Sequence, residues 1–332
     1  MEKRVERIRV LVTDKTAYEL LDELRRMGFE VDYLPGLLAE DLLEKVGDYH
    51  VLVVRGRTKV TREVIERGCR GRLRVVARAG IGLDNIDLEA ARRCGVRVVN
   101  TPDASTQSVA ELALGLMIAA ARRVAEADHM VKQGGWVKLT GLELGGKTLL
   151  VVGYGRIGRR LAQFARALGM RVVACDLPEV LEAVEDPGVE KEGDLCRALS
   201  QADFVSLHVP LTEETRHLLN ERTLRCLKKG AIIVNTSRGA VVETGALLRA
   251  LEEGLVRAAA LDVVEHEPPA TEEEKALVRH PKVIVTPHIG AQTVEAQLRI
   301  ARELPRLIKK ALEEPGSPQA RGVGEAGSGV SV

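Results

Sequence analysis

The chain has 332 residues, of which 45% are hydrophobic and 29% charged, and its formal net charge is +1. A balance of 49 basic against 48 acidic residues gives no positive field for nucleic acid or an anionic membrane, and 2% aromatics give no platform for stacking bases. The five cysteines (Cys69, Cys94, Cys175, Cys196, Cys226) form no CxxC pair and no cluster with histidine at ligand spacing, so no metal site is expected.

The N-terminal MEKRVERIRV is basic but lacks the apolar stretch of a secretory signal. Short Val- and Ile-rich runs then alternate with segments of helical period, the pattern of an α/β fold with parallel sheets. Strands are predicted at 8–13, 30–34, 50–54, 74–77 and 97–100, with helices at 17–27, near 40–46, at 62–69 and at 88–94. Gly28 and Gly95 stand where helices must stop, as left-handed caps before the next strand. Ser105 to Arg123 reads as one long helix, apolar nearly all round and therefore buried between domains or at a subunit interface. Its longest apolar run, Leu116–Ala121, is far short of the ~20 residues that cross a bilayer. Dispersed thiols, the absence of a signal and this short run predict a cytoplasmic protein.

A Gly-rich stretch, QGGWVKLTGLELGGK, leads into a second α/β series. Its strands are predicted at 148–152, 171–175, 204–209, 231–236, 258–263 and 283–287, with a short one near Val189. The first of them runs straight into Gly153-Tyr-Gly155-Arg156-Ile157-Gly158 and a helix over 159–168. In a strand–GxGxxG–helix unit the glycines allow a tight turn, close approach of backbone to a pyrophosphate, and helix-on-strand packing. The helix N-terminus offers free N–H groups to the phosphates. Asp176 ends the next strand, eighteen residues after Gly158, where a carboxylate accepts bonds from ribose hydroxyls and repels a 2′-phosphate; NAD is favoured over NADP. The last helix is predicted at 293–312, and the Gly-, Ser- and Pro-rich residues 315–332 as a disordered tail.

GYGRIG, HVPLTEET, VNTSRG, ALDVVEHEPP and TPHIGAQT, in that order, resemble the D-2-hydroxyacid dehydrogenase family, and RAGIGLDNID and STQSVAELALGLMIAAAR complete the resemblance over residues 5–312. It implies two Rossmann-like α/β domains with parallel sheets and an active-site cleft between them. Residues 1–100 with 290–314 would form a discontinuous substrate-binding domain and 101–289 the NAD-binding domain, with Asn100-Thr101-Pro102 and Pro287 as hinges. Nothing foldable follows Leu312, so the C-terminal regulatory domain of longer relatives is expected to be missing.

The resemblance also implies roles. His288 is the acid/base at the C2 hydroxyl, for which imidazole is suited because its ordinary pKa lies near neutrality. Glu267 holds the His288 tautomer; Glu265 and His266 adjoin it, and only the family pattern of Asp262 followed by Glu267-Pro268 chooses among them. Arg238 grips the substrate carboxylate and polarises the C2 oxygen with its planar, always charged fork. Asp262 contacts the carboxamide end of the nicotinamide, and Val209, Pro210, Thr236, Ser237, His288, Gly290 and Ala291 complete the cofactor contacts. Backbone N–H groups of Ala79 and Gly80 bind the carboxylate. Arg55 and Arg78 match positions that face the phosphate in members acting on phosphorylated acids, with Arg57 and Lys59 as weaker helpers. Reductases of unphosphorylated glyoxylate or hydroxypyruvate generally carry an uncharged residue where Arg78 stands. The resemblance therefore implies an oxidoreductase on a 2-hydroxy acid, with an NAD(H)-sensing co-regulator as the alternative from another class. It implies a homodimer or tetramer through the apolar helix and the loop around Trp136, which reads equally as an interface anchor or a core residue.

Overall fold

The computed structural model describes residues 7–314; the tail expected at 315–332 lies outside them. Within these residues the chain divides into two compact units, 7–105 with 291–314, and 106–290.

The first unit begins with β1 (Arg9–Val12), α1 (Tyr18–Arg26), β2 (Glu30–Tyr33), α2 (Ala39–Lys45) and β3 (Val51–Val54). It continues with α3 (Arg62–Cys69), β4 (Val75–Arg78), α4 (Leu88–Arg93) and β5 (Arg97–Asn100). All pairings are parallel, in the order β2-β1-β3-β4-β5. The period of two along each strand sends alternate side chains to opposite faces, and both faces are apolar. Val10, Val12, Val51 and Val53 meet Leu20, Leu21 and Leu24 of α1, whereas Leu11, Leu52, Val54 and Val76 meet Leu42, Val64, Ile65 and Ala90 of α2 to α4. Gly28 and Gly95 take positive φ after α1 and α4, as their positions require.

The second unit opens with α5 (Thr106–Arg122) and α6 (Val124–Lys132), then β6 (Thr148–Val152), α7 (Arg156–Ala167), β7 (Arg171–Cys175), α8 (Pro178–Glu182) and β8 (Val189–Lys191). After these come α9 (Leu195–Gln201), β9 (Phe204–Leu207), α10 (Glu221–Leu224), β10 (Ala231–Asn235) and α11 (Thr244–Glu252). The unit closes with β11 (Val256–Leu261), α12 (Glu272–Arg279) and β12 (Val283–Val285). Its strands are again all parallel, in the order β12-β11-β10-β9-β6-β7-β8. α5 and α7 cover one face through Met117, Leu161 and Ala165, and α9 to α12 cover the other through Leu199, Leu224, Leu247 and Leu277. The chain then returns to the first unit as α13 (Val294–Glu313), whose Ile300, Leu304 and Ile308 join α1 on the first sheet.

Several boundaries differ from expectation for physical reasons. α7 starts at Arg156, not at 159, because Gly155 is its N-cap and Gly158 lies inside its first turn. β11 runs two residues earlier than 258–263, since Leu261 pairs with Asn235 at the end of β10 and Asp262 turns to serve the following loop. The helix expected to reach Arg123 stops at Arg122, because Arg123 adopts φ 55° and starts α6, which has no buried residue. Trp136 is 85% exposed, so it is not a core residue of this chain. Nor are the thiols all dispersed: Cys196 at the start of α9 and Cys226 just past α10 form a disulfide. No helix among the described residues is long and apolar enough to cross a membrane.

Leu304 is fully buried beneath α13. Leu304→Ala should cost about 3 kcal/mol in urea unfolding, as large-to-small core changes do; a loss under ~1 kcal/mol would mean that α13 contributes little to this core.

Candidate active site

In both sheets the strand order reverses beside the first strand, between β1 and β3 in one and between β6 and β9 in the other. At such switch points the loops leaving the carboxyl ends of neighbouring strands run apart, and ligands of open α/β sheets bind there.

In the second unit Gly153 follows β6 with φ 92°, and a Cβ on it would stand 2.7 Å from the Val209 nitrogen across the switch point. A Cβ on Gly158 would overlap the Gly153 carbonyl, whereas Gly155 has open space around it. The three glycines thus perform the turn, the close packing and the exposed cradle at the α7 N-terminus, where Arg156 and Ile157 open the helix. Asp176 is buried after β7; its Oδ2 accepts the Tyr154 N–H at 2.6 Å and its Oδ1 the Leu177 N–H at 2.8 Å. Burial raises its pKa while these two bonds oppose the rise. This cradle and carboxylate fit the phosphates and ribose of a dinucleotide. On the other side of the switch point, Val209 is buried and the Pro210 carbonyl accepts from the Thr215 hydroxyl at 2.6 Å. His208 bonds Ser206 Oγ through Nε2 at 2.8 Å, and burial pushes its pKa down to about 3, so it brings no charge to the turn at neutral pH.

Three further loops leave neighbouring strands β10, β11 and β12. After β10, the Ser237 N–H and hydroxyl both donate to Asn235 Oδ1, and Asn235 Nδ2 donates to the Arg238 carbonyl at 2.8 Å. These bonds fix the backbone that carries Arg238, whose Nη1 donates to the Ser237 carbonyl. The Thr236 hydroxyl is buried with no partner among the described residues. After β11 the structure separates the three candidates that spacing left open. Glu265 accepts from the Thr244 N–H and hydroxyl and from His217 Nε2; burial would raise its pKa, but these bonds lower it overall. His266 turns to Glu274. Only Glu267 reaches His288, with Oε2 2.8 Å from Nδ1.

His288 sits at φ 53°, its N–H donating to the Asp262 carbonyl at 2.9 Å. The Asp262 carboxylate accepts from the Thr286 hydroxyl and from the Ile289 and Gly290 N–H groups. The carboxylate thereby holds the turn that carries His288. With Nδ1–H donated to Glu267, Nε2 is the ring atom left to exchange a proton. Gly290 ends this unit, and Ala291 belongs to the first, its carbonyl accepting from Gln297 Nε2.

In the first unit Arg55 follows β3, and Arg78 ends β4 directly opposite Val54. The 55–58 loop is clamped from two sides. Asp14, buried after β1, accepts the Arg55 N–H at 2.6 Å, the Thr58 N–H at 3.2 Å and the Thr58 hydroxyl at 2.7 Å. Asn85 Nδ2 bonds the Arg55 and Thr58 carbonyls at 2.8 and 2.7 Å. Burial lowers the Arg55 pKa, with Asp14 opposing. Arg57 instead reaches the Leu37 carbonyl. Arg78 folds back over the next turn: Nη1 donates to the Ala79 carbonyl at 2.9 Å, and a Cβ on Gly80 would overlap it.

One expectation needs correcting here. The Ala79 N–H is not free for a carboxylate, because it donates to the Val54 carbonyl and extends the β3–β4 ladder by a residue. The Gly80 N–H is held only by the Arg78 carbonyl two residues back at 2.9 Å, a contact that a ligand can replace. Sequence reasoning also passed over Asp14, Thr58, Asn85 and Glu274. Asp14 had a signal, an acid at the carboxyl end of a buried parallel strand beside a switch point, and so had Glu274, the fourth residue of the capping box Thr271-Glu-Glu-Glu274; Asn85 had none.

Residues 114–290 match the family described as D-isomer specific 2-hydroxyacid dehydrogenase, NAD binding domain. A D-3-phosphoglycerate dehydrogenase of Methanocaldococcus jannaschii is 47% identical over 92% of this chain and 57% of its own length. A hydroxypyruvate reductase of Thermotoga maritima is 45% identical over 90% of this chain and 95% of its own. The crystal structure of the TT0316 protein from Thermus thermophilus superimposes with a TM-score of 0.83 at 39% identity, covering 92% of this chain and 97% of that one. The chain belongs to the D-isomer specific 2-hydroxyacid dehydrogenases, a family of NAD-dependent oxidoreductases. It spans little more than half the length of the phosphoglycerate dehydrogenase it matches.

Glu274 ties down the segment that presents Glu267, accepting from the N–H groups of His266, Ala270 and Thr271 and from the His266 ring. Burial would raise its pKa, but these donors hold it at about 2. Its stabilisation is complete above the ordinary value of 4.5 and fades as pH falls toward 2, because the unfolded chain takes up the proton first. Glu274→Gln should therefore lower Tm at neutral pH, with a gap to wild type that narrows below about pH 4.5. A gap independent of pH would remove the carboxylate from this role.

Proposed function

We propose that the protein is an NAD-dependent D-3-phosphoglycerate dehydrogenase, oxidising 3-phosphoglycerate to 3-phosphohydroxypyruvate and opening serine synthesis. The observation that carries this reading is the placing of Arg55 and Arg78 at the carboxyl ends of neighbouring strands β3 and β4, beside the first sheet's switch point. Two guanidiniums on one loop edge match a phosphate dianion, for which charge-assisted bonds are the strong ones. Arg238 receives the substrate carboxylate, and its fork also polarises the C2 oxygen. His288 Nε2 takes the proton of the C2 hydroxyl, and Glu267 stabilises the imidazolium that results. NAD, when bound, supplies the hydride acceptor. In the reverse direction His288 returns the proton to the ketone oxygen.

The protein works as a homodimer in this reading. Support comes from α6, which has no fully buried residue, and from Val131, Trp136 and Val137, which lie exposed after α5. Large apolar side chains grouped in this way mark an interaction surface.

A second reading, a hydroxypyruvate or glyoxylate reductase on the same scaffold, is favoured by one observation. The relative that the chain spans almost end to end carries the name hydroxypyruvate reductase.

The deciding experiment is NADH oxidation with 3-phosphohydroxypyruvate, hydroxypyruvate and glyoxylate side by side, read as kcat/KM. A strong preference for the first supports the dehydrogenase, and preference for either of the others selects the reductase. Arg78→Ala should lower kcat/KM for 3-phosphohydroxypyruvate by on the order of 10- to 100-fold, the worth of a charge-assisted bond, and that for hydroxypyruvate much less. Equal losses would take phosphate recognition away from Arg78. His288→Ala should lower kcat by at least about 100-fold with the Kd for NADH unchanged; retained turnover would sink the acid/base assignment.

A further inference from the structure

Helices α3 and α4 pack against each other on the first sheet, and their C-terminal turns are linked by Glu66 and Arg93. Cys69 is the last residue of α3 and Cys94 caps α4, and both half-buried side chains pack on the same apolar cluster, which includes Leu73, Ala90 and Val96. The Cys94 thiol lies within interaction range of the Cys69 thiol. One turn away Arg93 Nη2 meets Glu66 Oε1 at 3.9 Å, a second link between the same two helix ends, while the Glu66 carbonyl accepts from Cys69 Sγ. The other unit already joins its own helix ends through Cys196 and Cys226, which leaves Cys175 as a buried, isolated thiol.

We propose that Cys69 and Cys94 are a second disulfide site, which on oxidation ties the end of α3 to the end of α4. The oxidant is a small-molecule disulfide. One cysteine thiolate attacks a sulfur of the reagent and displaces one reagent thiolate, giving a mixed disulfide. The other cysteine thiolate then attacks the protein sulfur of that bond and displaces the second. Two protein thiols lose two electrons and two protons, and the reagent leaves as two thiols. Burial, the Cys69 contact and Glu66 push the Cys94 thiol up to about 11, with Arg93 opposing, so exchange is slow at neutral pH and quickens in alkali. None of Cys69, Cys94, Cys196 and Cys226 lies at the switch points or strand ends described above, so the inference does not depend on the proposed activity.

The test is performed on the full chain, oxidised by a small-molecule disulfide at about pH 9, alkylated under denaturing conditions without reductant, and digested with trypsin. Cleavage after Arg67, Arg70, Arg93 and Arg97 leaves Cys69 and Cys94 in separate short peptides, 68–70 and 94–97. The expected result is a cross-linked pair of these peptides and alkylation at Cys175 alone. Recovery of the two peptides separately, alkylated or each carrying the reagent, overturns the proposal. As an independent readout, the doubly substituted Cys69→Ala, Cys94→Ala protein should melt roughly 5 °C or more below oxidised wild type. The difference should shrink once both are reduced; an unchanged difference would trace it to packing and count against the disulfide.

Discussion

Everything functional in this molecule hangs on a property of parallel sheets that are wound in both directions from an inner strand. Where the winding reverses, the loops leaving two adjacent strands turn to opposite faces, and no helix closes the gap above their carboxyl ends. The chain makes that reversal twice, with order 2-1-3-4-5 in the first unit and 3-2-1-4-5-6, extended by one strand, in the second. Asp14 and Arg55 flank the first reversal, and Gly153 and Val209 flank the second. The inner strands, such as β3 and β6, are buried on both faces and have little choice of residue beyond Val, Ile, Leu and Ala. The chemistry is confined to the few positions after each strand, where the backbone leaves the ladder.

Those few positions are held in place by buried carboxylates. Asp14, Asp176, Asp262 and Glu274 are each at most 4% exposed, and each accepts at least two backbone N–H groups of a loop beside the candidate site. An isolated carboxylate in such a place would be costly, and the donors that offset the cost are the loop's own peptide groups. The loop is thereby fixed by the same bonds that keep the charge tolerable. Asp14 shapes the Arg55 loop, Asp262 the His288 turn and Glu274 the segment carrying Glu267. A reactive side chain on a loop can be placed as firmly as one on a helix when a buried anion gathers its N–H groups.

The sequence carried the regular parts well, because they follow from local pattern. Val10 to Val12 and Val51 to Val54 could be nothing but buried strands, and GYGRIG after Thr148–Val152 could hardly serve another purpose. The family resemblance marked Arg238, Glu267 and His288, and the structure sets Glu267 against His288 while sending Glu265 and His266 to other partners. What stayed hidden was long-range. Asn85 meets the Arg55 and Thr58 carbonyls 27 to 30 residues away, and Cys196 meets Cys226 across 30 residues. No spacing rule connects such pairs, because each depends on which strand lies next to which. The end of the long apolar helix was hidden for another reason. Arg123 leaves the helix through a left-handed residue rather than through glycine or proline, so the composition gives no stop signal there.

The engagement of the Ala79 N–H bears on how a small acid is recognised at the first sheet. A ladder bond to Val54 fixes that peptide, so the turn offers N–H groups only from Gly80 onward. Gly80 takes φ 147°, a conformation from which a side chain is excluded both by strain and by the Arg78 guanidinium lying across it. One arm of Arg78 is thus folded onto this turn, where Nη1 donates to the Ala79 carbonyl. An anion is a stronger acceptor for a guanidinium N–H than a neutral carbonyl, since bonds to charged acceptors are roughly twice as strong. On the proposed reading, an anion at this turn would compete with the Ala79 carbonyl for that arm of the guanidinium. On that reading Arg78 both covers Gly80 and supplies the cation beside it, and an uncharged residue at 78 would leave the turn open but without that charge.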